Sequence, residues 1–441
     1  MTSDRVVSQP ETADYRWLVS PEGDRWLKTA KSAAEEQGAS LTQLASRLRR
    51  DLPPQRVHLL LEQVELRDKA RQKFSQPEQM FFSRLGLEQA TDQWVAAYKA
   101  SRFPQGQPTA DLCCGIGGDT LAVAQRGPLW AVDRNPIAVI LAQANLQAIL
   151  GSDASLGAEG SNSRSEKHAV KFDVLDVADA AELMGGVAAW HIDPDRRPAG
   201  RRTTKIELHD PGPEVLARLI STCPHAAVKL APAADLVEPW WAEAELEWIS
   251  RGRQCRQLVA WFGNLAQHPG LCRATVIRST TSDSQDRPSA TIAIIVATII
   301  GEPNLELSLA PQIGRYLFEP DAAVLAAKLE GALAAQHDLA AITPGVAYFT
   351  ADRPIESAAV DCFEVLEVMP YRTKTLRQWL IQRGVDRLEV KKRGVPLDPA
   401  EVRRELLVGN RDKDAFTEEI TLLLTRIAGQ ITAIFARRAP K

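Results

Sequence analysis

The sequence predicts an α/β fold, a parallel sheet with helices between its strands, preceded by a helical segment and followed by a small β/α module. Three observations carry this. Thr109-Ala110-Asp111-Leu112-Cys113-Cys114-Gly115-Ile116-Gly117-Gly118-Asp119 reads as a short strand entering a glycine turn, with an apolar helix from Thr120 to Gln125. A second strand, Leu129-Trp130-Ala131-Val132-Asp133, ends in an acid 22 residues after Asp111. Strand-like runs then alternate with helical stretches, the pattern of crossover units whose ligands sit at the carboxyl ends of the strands.

Residues 1–100 predict helices, because Leu41–Leu48 and Val57–Phe74 repeat apolar residues at helical spacing and Pro53-Pro54 separates them. This segment is expected to cap the ligand site. The sheet is expected over residues 101–300. Ala169–Asp176 is its third strand, Ala188–Pro194 its fourth and Ala226–Pro232 its fifth. Glu247–Phe262 and Cys272–Ser279 are expected to close it as an antiparallel pair. Gly151–Lys167, rich in Gly, Ser, Ala and Asn, reads as a mobile surface loop, and Thr280–Ser289 as a polar turn. Residues 301–360 read as a connecting segment with an alanine-rich helix, Asp321–Gln336. Residues 361–441 read as strands at 362–368, 388–392, 420–427 and 431–435, with helices at 374–383 and 399–407.

The glycine turn lets the backbone approach a ligand closely, and the following helix presents its free N–H groups to it. The turn has no G-x-G-x-x-G spacing, and no Lys-Ser or Lys-Thr follows its glycines, so dinucleotide and P-loop fingerprints fail. Asp111 opens the turn instead, and no cation is there for a pyrophosphate. An acid at that point suits a ligand carrying an ammonium and a sulfonium, as S-adenosylmethionine does. Asp133 is placed for the ribose hydroxyls, and Asp173 for the adenine amino group. The plainer alternative is an ordinary strand-turn-helix corner, which Asp133 and the later strands disfavour.

Together with Asp193-Pro194-Asp195-Arg196-Arg197, these motifs resemble the class I S-adenosylmethionine-dependent methyltransferases, and within them a bacterial group with a C-terminal THUMP-like domain. By motif, the group is similar to the RNA cap guanine-N2, trimethylguanosine synthase-like enzymes. The resemblance implies a Rossmann-like methyltransferase sheet with an N-terminal helical domain and a small C-terminal α/β THUMP-like domain at 361–441. It implies cofactor contacts from Asp111, Cys113, Gly115, Gly117, Gly118, Asp133 and Asp173, and from Gln89 and Thr91 in the segment Leu87–Thr91. Asp193 and Pro194 would be catalytic, and Arg196 and Arg197 would bind substrate. Two departures stand out. Cys113 replaces the first glycine of the commonest loop, and no aromatic ring follows Pro194 to stack on a target base. Trp190, Phe81 or Phe82 would have to supply one from elsewhere.

Six cysteines without a C-x-x-C pair fit a reduced, cytoplasmic protein and argue against a structural zinc site, so no metal is expected. Met1–Arg16 is polar, and the longest apolar run, Ala290–Ile300, is too short to span a bilayer, so neither a signal peptide nor a membrane partner is expected. The net charge of −3 hides an asymmetry: residues 371–441 hold 16 basic and 9 acidic residues, net +7, leaving −10 for the remainder. Basic clusters fall at Arg196, Arg197, Arg201, Arg202 and Lys205, and at Lys391–Arg393 with Arg403 and Arg404. Solvated faces explain many such clusters; phosphate contacts to RNA are the reading preferred here.

Asp193 is placed to accept a hydrogen bond from an exocyclic amine. A C5-pyrimidine mechanism would need a nucleophilic cysteine at the end of the fifth strand, and Cys223 lies before that strand. Three functions stay open: an RNA base N-methyltransferase, a methyltransferase of a small molecule or protein, and a non-catalytic RNA-binding protein on the same fold. The sequence leaves the oligomeric state unassigned.

Overall fold

The computed structural model describes residues 10–36, 40–151, 169–196, 203–236, 239–281, 291–407 and 419–439. The expected loop at 152–167, most of the turn at 280–289, and Arg197, Arg201 and Arg202 lie outside these residues.

Helices α1 (Thr12–Leu18), α2 (Pro21–Glu36), α3 (Leu41–Leu48), α4 (Pro54–Ala70), α5 (Arg84–Gln89) and α6 (Gln93–Ala100) form the N-terminal region. Ser40 starts α3 with a capping box closed by Gln43. The Pro53-Pro54 break is the start of α4, with Pro54 in the first turn, where its missing N–H is harmless. Asp92 caps α6 by accepting from Val95 N.

The large sheet follows: β1 (Thr109–Leu112), α7 (Thr120–Val123), β2 (Leu129–Asp133), α8 (Pro136–Leu150), β3 (Val170–Val174), α9 (Val177–Ala180), β4 (Ala189–Ile192), α10 (Pro213–Thr222), β5 (Ala226–Leu230), β6 (Glu245–Arg251), β7 (Gln254–Trp261), β8 (Cys272–Thr281) and β9 (Thr291–Gly301). The strand order is β3-β2-β1-β4-β5-β7-β6-β8-β9. The first five strands are parallel, with Asp111 beside Ala131 on one side and His191 on the other. The order reverses between β1 and β4, and a ligand crevice opens there.

The expected closing pair is corrected. Glu247–Phe262 is not one strand but the hairpin β6–β7, turned at Gly252 (φ 60°) and Arg253 (φ 64°), the two positive φ values a tight two-residue hairpin requires. β7 pairs antiparallel with β5, whereas β8 runs parallel to β6. The Gly-Arg step carried the signal, but the apolar residues around it read as one run.

The chain divides into two compact units: Met1–Glu245 with Leu258–Gly270 and Arg278–Ile294, and Leu246–Gln257 with Leu271–Ile277 and Ile295–Lys441. The second unit adds β10 (Tyr316–Pro320), α11 (Ala322–Ala326), α12 (Glu330–His337), β11 (Ala340–Ala341), β12 (Phe349–Ala351), β13 (Val360–Pro370), α13 (Thr373–Gln382), β14 (Arg387–Lys392), α14 (Pro399–Leu406), β15 (Glu419–Ile427) and β16 (Gln430–Arg438). Its sheet runs β11-β12-β10-β13-β16-β15-β14. The stretch 301–360 therefore supplies three strands of this sheet as well as linking chain. Under it, Trp379 stacks on Phe435 at 3.9 Å between ring centroids.

Candidate active site

At the carboxyl ends of β1, β2 and β4 the first unit encloses a cavity of about 490 Å³. The glycine loop forms its floor. Cys113, Gly115 and Gly117 all have positive φ, at 57°, 55° and 90°, so the chain doubles back and Gly115 N donates to Asp133 Oδ2 at 2.9 Å. Asn135 N donates to Asp133 Oδ1 at 2.8 Å, and the Asn135 side chain caps α8. Asp133 is thereby fixed at the tip of β2, lining the cavity. Burial raises its pKa, partly offset by the two amides. Gly118 passes so close to Thr91 that a Cβ would sit 3.1 Å from its backbone N and O.

Beside the loop lies a buried polar chain. Asp111 Oδ2 accepts from Thr120 Oγ1 at 2.5 Å, and Asp111 Oδ1 lies 2.8 Å from His191 Nδ1. Lys99 Nζ lies 3.0 Å from His191 Nε2 and 2.7 Å from Asp119 Oδ1. Thr91 Oγ1 donates to Asp119 Oδ2 at 2.6 Å. Burial lowers the pKa of Lys99, against the pull of Asp119. Burial alone would raise Asp119, but its neighbouring cations, Lys99 first and then Lys229, outweigh it and hold the carboxyl below its ordinary range.

On the opposite wall stands Asp193, just past β4. Lys229 of β5 donates to Asp193 Oδ2 at 2.5 Å and to Gln89 O at 3.0 Å. Gln89 Nε2 donates to Asp195 Oδ1 at 3.0 Å, and Lys73 Nζ donates to the carbonyls of Leu87, Glu88 and Ala90. The segment Leu87–Thr91 is thus tied both to the helices and to the Asp193-Pro194-Asp195 turn.

Most residues expected from the sequence meet here: Gln89, Thr91, Asp111, Cys113, Gly115, Gly118, Asp133, Asp193, Pro194 and Arg196 all line the cavity. Gly117 turns instead toward α8, where a Cβ would meet Ala142 at 3.4 Å. Asp173 is not among the lining residues, and its Oδ2 accepts from Trp130 Nε1 at 2.7 Å and from Lys171 Nζ at 2.9 Å. Asp176 lines the cavity while capping α9. Asp173 lies within β3 and Asp176 just beyond its end. Trp190, Phe81 and Phe82 are buried and absent from the lining; Tyr15 of α1 is the aromatic that lines it among the described residues. Arg197 lies outside the described residues.

Sequence reading missed Lys99, Asp119, His191 and Lys229. Lys229 carried a signal, a cation inside the apolar run Ala226–Leu230; Lys99, inside a helix, carried none.

Burial pushes the Cys113 and Cys114 thiols well up, so neither is a ready thiolate. Cys223 is buried against Val187 O, away from the cavity. Among the described residues no group of His, Cys, Asp or Glu is arranged to hold a metal, and no helix is long and apolar enough to cross a membrane.

Seven aspartates and two arginines line the cavity, and one of those arginines, Arg134, pairs with Asp210. Such a lining repels polyphosphates and suits a nucleoside that carries positive charge. Asp133 would offer its remaining lone pairs to ribose hydroxyls, Asp111 and Asp193 would serve the positive groups, and the loop glycines leave room for close approach. The donor set fits S-adenosylmethionine.

Known proteins agree. Residues 360–438 match the family model described as THUMP domain-like, and residues 11–70 match a domain of unknown function, DUF8688. A solved protein of Porphyromonas gingivalis, described as a candidate methyltransferase, shares the fold at TM-score 0.68 and 20% identity, over 98% of this chain and 100% of that one. Proteins of two Mycobacterium tuberculosis strains, each named an uncharacterized S-adenosylmethionine-dependent methyltransferase, are 30% identical over 367 residues, 81% of this chain and 88% of theirs. With that identity over that length, and a cavity whose charge and loop suit the cofactor, the chain belongs to the S-adenosylmethionine-dependent methyltransferases and ends in a THUMP-like domain.

Proposed function

We propose that this methyltransferase acts on an amine of a base in RNA. The observation that carries the reading is Asp193, half-buried at the cavity wall beside Pro194, with one carboxylate oxygen bound by Lys229. Its other oxygen is the acceptor for an N–H of the incoming base.

When bound, the cofactor supplies a methyl group made electrophilic by its sulfonium. Asp193 accepts from the acceptor amine and turns the nitrogen lone pair toward that methyl. Orientation is the larger part of the task, because the amine becomes acidic once alkylated and needs no prior deprotonation. Ile116, Ile137 and Val177 give the cavity an apolar part to its lining. Tyr15 is the ring available to stack on a base, standing in for the aromatic that the Asp193-Pro194-Asp195-Arg196 turn lacks.

The THUMP-like domain supports RNA over other amines. Its expected basic cluster is only partly available: Lys391 and Arg393 pair with Glu319 at 2.7 and 3.2 Å. Arg372, Lys374, Arg383, Arg403 and Arg404, on or beside α13 and α14, are exposed and offer phosphate contacts.

The test is label transfer from tritiated S-adenosylmethionine to total RNA, with Asp193→Ala and RNase-treated controls. RNase-sensitive label that falls steeply, though measurably, with Asp193→Ala is expected. Label appearing only in protein or small molecules would replace this reading.

A further inference from the structure

Lys229 stands out as a cation that the fold places at some expense. It projects from β5 between Val228 and Leu230, both buried, and its side chain is 5% exposed. A lysine there loses its hydration, which only strong partners offset. The partners of its ammonium belong to the site: Asp193 Oδ2 at 2.5 Å and the Gln89 carbonyl at 3.0 Å. Lys229 itself does not line the cavity, so it stands behind Asp193 and not beside the ligand.

We propose that Lys229 is the positioning residue of methyl transfer, acting through Asp193. The inference rests on Asp193 being the acceptor for the substrate amine. A carboxylate at a strand end can rotate about χ2 and present either oxygen. With Oδ2 bound to Lys229, rotation is blocked and one oxygen faces the cavity in one orientation. The same ammonium holds Gln89 O, and the Gln89 side chain holds Asp195 Oδ1 at 3.0 Å. One lysine thus ties the acid that meets the substrate to the segment that borders the cofactor.

A specificity follows. A carboxylate held this way can only accept, so the acceptor atom must carry a hydrogen when it enters. Exocyclic amines meet that condition, whereas ring nitrogens without a hydrogen would face the lone pairs of Asp193 and be repelled.

The experiment is a double-substitution cycle read by single-turnover transfer of tritiated methyl groups into a whole-cell extract, counted separately in its RNA and its RNA-depleted fraction. The proteins are wild type, Lys229→Met, Asp193→Ala and the pair, with Lys229→Arg alongside. Cofactor affinity is measured by calorimetry on each, which also reports folding. Lys229→Met should slow transfer about 100-fold, of the order seen when a positioning group is lost, with cofactor affinity within about threefold. Lys229→Arg, which keeps the cation, should recover at least about a tenth of the wild-type rate. In the Asp193→Ala background, Lys229→Met should slow transfer less than about threefold, because residues that act as a unit are not additive.

Equal slowing by Lys229→Met in both backgrounds would overturn the proposal while leaving Asp193 in its role. An unaffected Asp193→Ala would overturn both. Label confined to the RNA-depleted fraction, with the cycle non-additive, would keep Lys229 in its role and remove RNA as the substrate. Should Lys229→Met fail to bind cofactor, the cycle runs with Lys229→Gln, and Lys229→Arg still decides whether charge at this point sets the rate.

Discussion

His191 and Lys99 fix each other's chemistry. Lys99 Nζ lies 3.0 Å from His191 Nε2, and an amine or ammonium in that position donates, so Nε2 is the accepting nitrogen. The proton of the neutral ring must then sit on Nδ1 and point at Asp111 Oδ1, 2.8 Å away. Asp111 receives a second donor from Thr120 Oγ1. The acid that the sequence suggested as a direct cofactor contact is therefore a fully oriented group, its carboxylate plane set by a histidine and a threonine from two neighbouring elements.

Removing Lys99 should be costly. Lys99→Met leaves Asp119 buried without its nearest cation and frees His191 to change tautomer. Deleting one partner of a buried pair costs about 3–5 kcal/mol, so urea denaturation should show a loss in that range. Cofactor affinity should fall with it, because Asp119 also holds Thr91 at the cavity wall. A variant as stable as wild type would show that Asp119 finds another partner.

The same acid gives a pH dependence with a defined sign. In the folded chain the Asp119 carboxyl lies below its ordinary value of 3.8, because its cations outweigh its burial. As pH falls through that ordinary value the unfolded chain takes up a proton first, so stability drops with falling pH. The contribution is complete above about pH 5 and disappears as pH falls toward the folded value. Urea midpoints for wild type and Asp119→Asn, measured from pH 3 to 7, should lie furthest apart near neutrality and converge toward pH 3.

Much of this was legible in the sequence, and the failures have physical causes. The strand-turn-helix, Asp133 and the Asp193-Pro194 turn are local patterns, so the chain announces them. Which acid near β3 lines the cavity was not legible, because a strand read from propensity has uncertain ends, and three residues separate Asp173 within β3 from Asp176 beyond it. Lys99, His191 and Asp119 meet only through the packing of α6 against β4 and the loop. Lys391 and Arg393 looked like RNA contacts because the acid that neutralises them, Glu319, is 72 and 74 positions away.

Whether Asp173 or Asp176 serves the cofactor is testable by a pair of substitutions. Asp176→Ala should weaken S-adenosylmethionine binding about tenfold, the usual worth of a hydrogen bond from a charged acceptor. Asp173→Ala should leave cofactor affinity within about twofold and lower stability by about 1 kcal/mol, by stranding the Trp130 indole N–H. Calorimetric titration of both variants decides it. The reverse ranking would return Asp173 to the cofactor.

Cys113 sits at φ 57° in a loop where Gly115 and Gly117 also take positive φ. A side chain in that left-handed region costs roughly 1–2 kcal/mol that glycine does not carry. Cys113→Gly should therefore keep cofactor affinity and raise the unfolding midpoint slightly. With the Cys113 thiol held in its neutral form by burial, methyl transfer should also survive. A loss of transfer with binding intact would give this thiol a chemical role.

The second unit rests on a comparable charge arrangement, and Arg253 is the place to probe it. Asp321 is 0% exposed and Asp361 3% exposed. Arg253 reaches them at 3.5 and 3.3 Å from the β6–β7 turn, while Arg438 also meets Asp361 at 2.8 Å. Arg253 has φ 64°, so most substitutions would confound lost charge with turn strain. Asn tolerates that region, which makes Arg253→Asn the cleaner variant. It should destabilise by about 2–4 kcal/mol, somewhat under the full value for a broken buried pair because Arg253 is one-third exposed. Adding Asp321→Asn removes the stranded charge and should restore part of that loss. Cofactor binding, which involves residues of the first unit, should be unchanged in both variants. If Arg253→Asn unfolds no more easily than wild type, Asp321 does not depend on it, and the turn residue is there for its conformation alone.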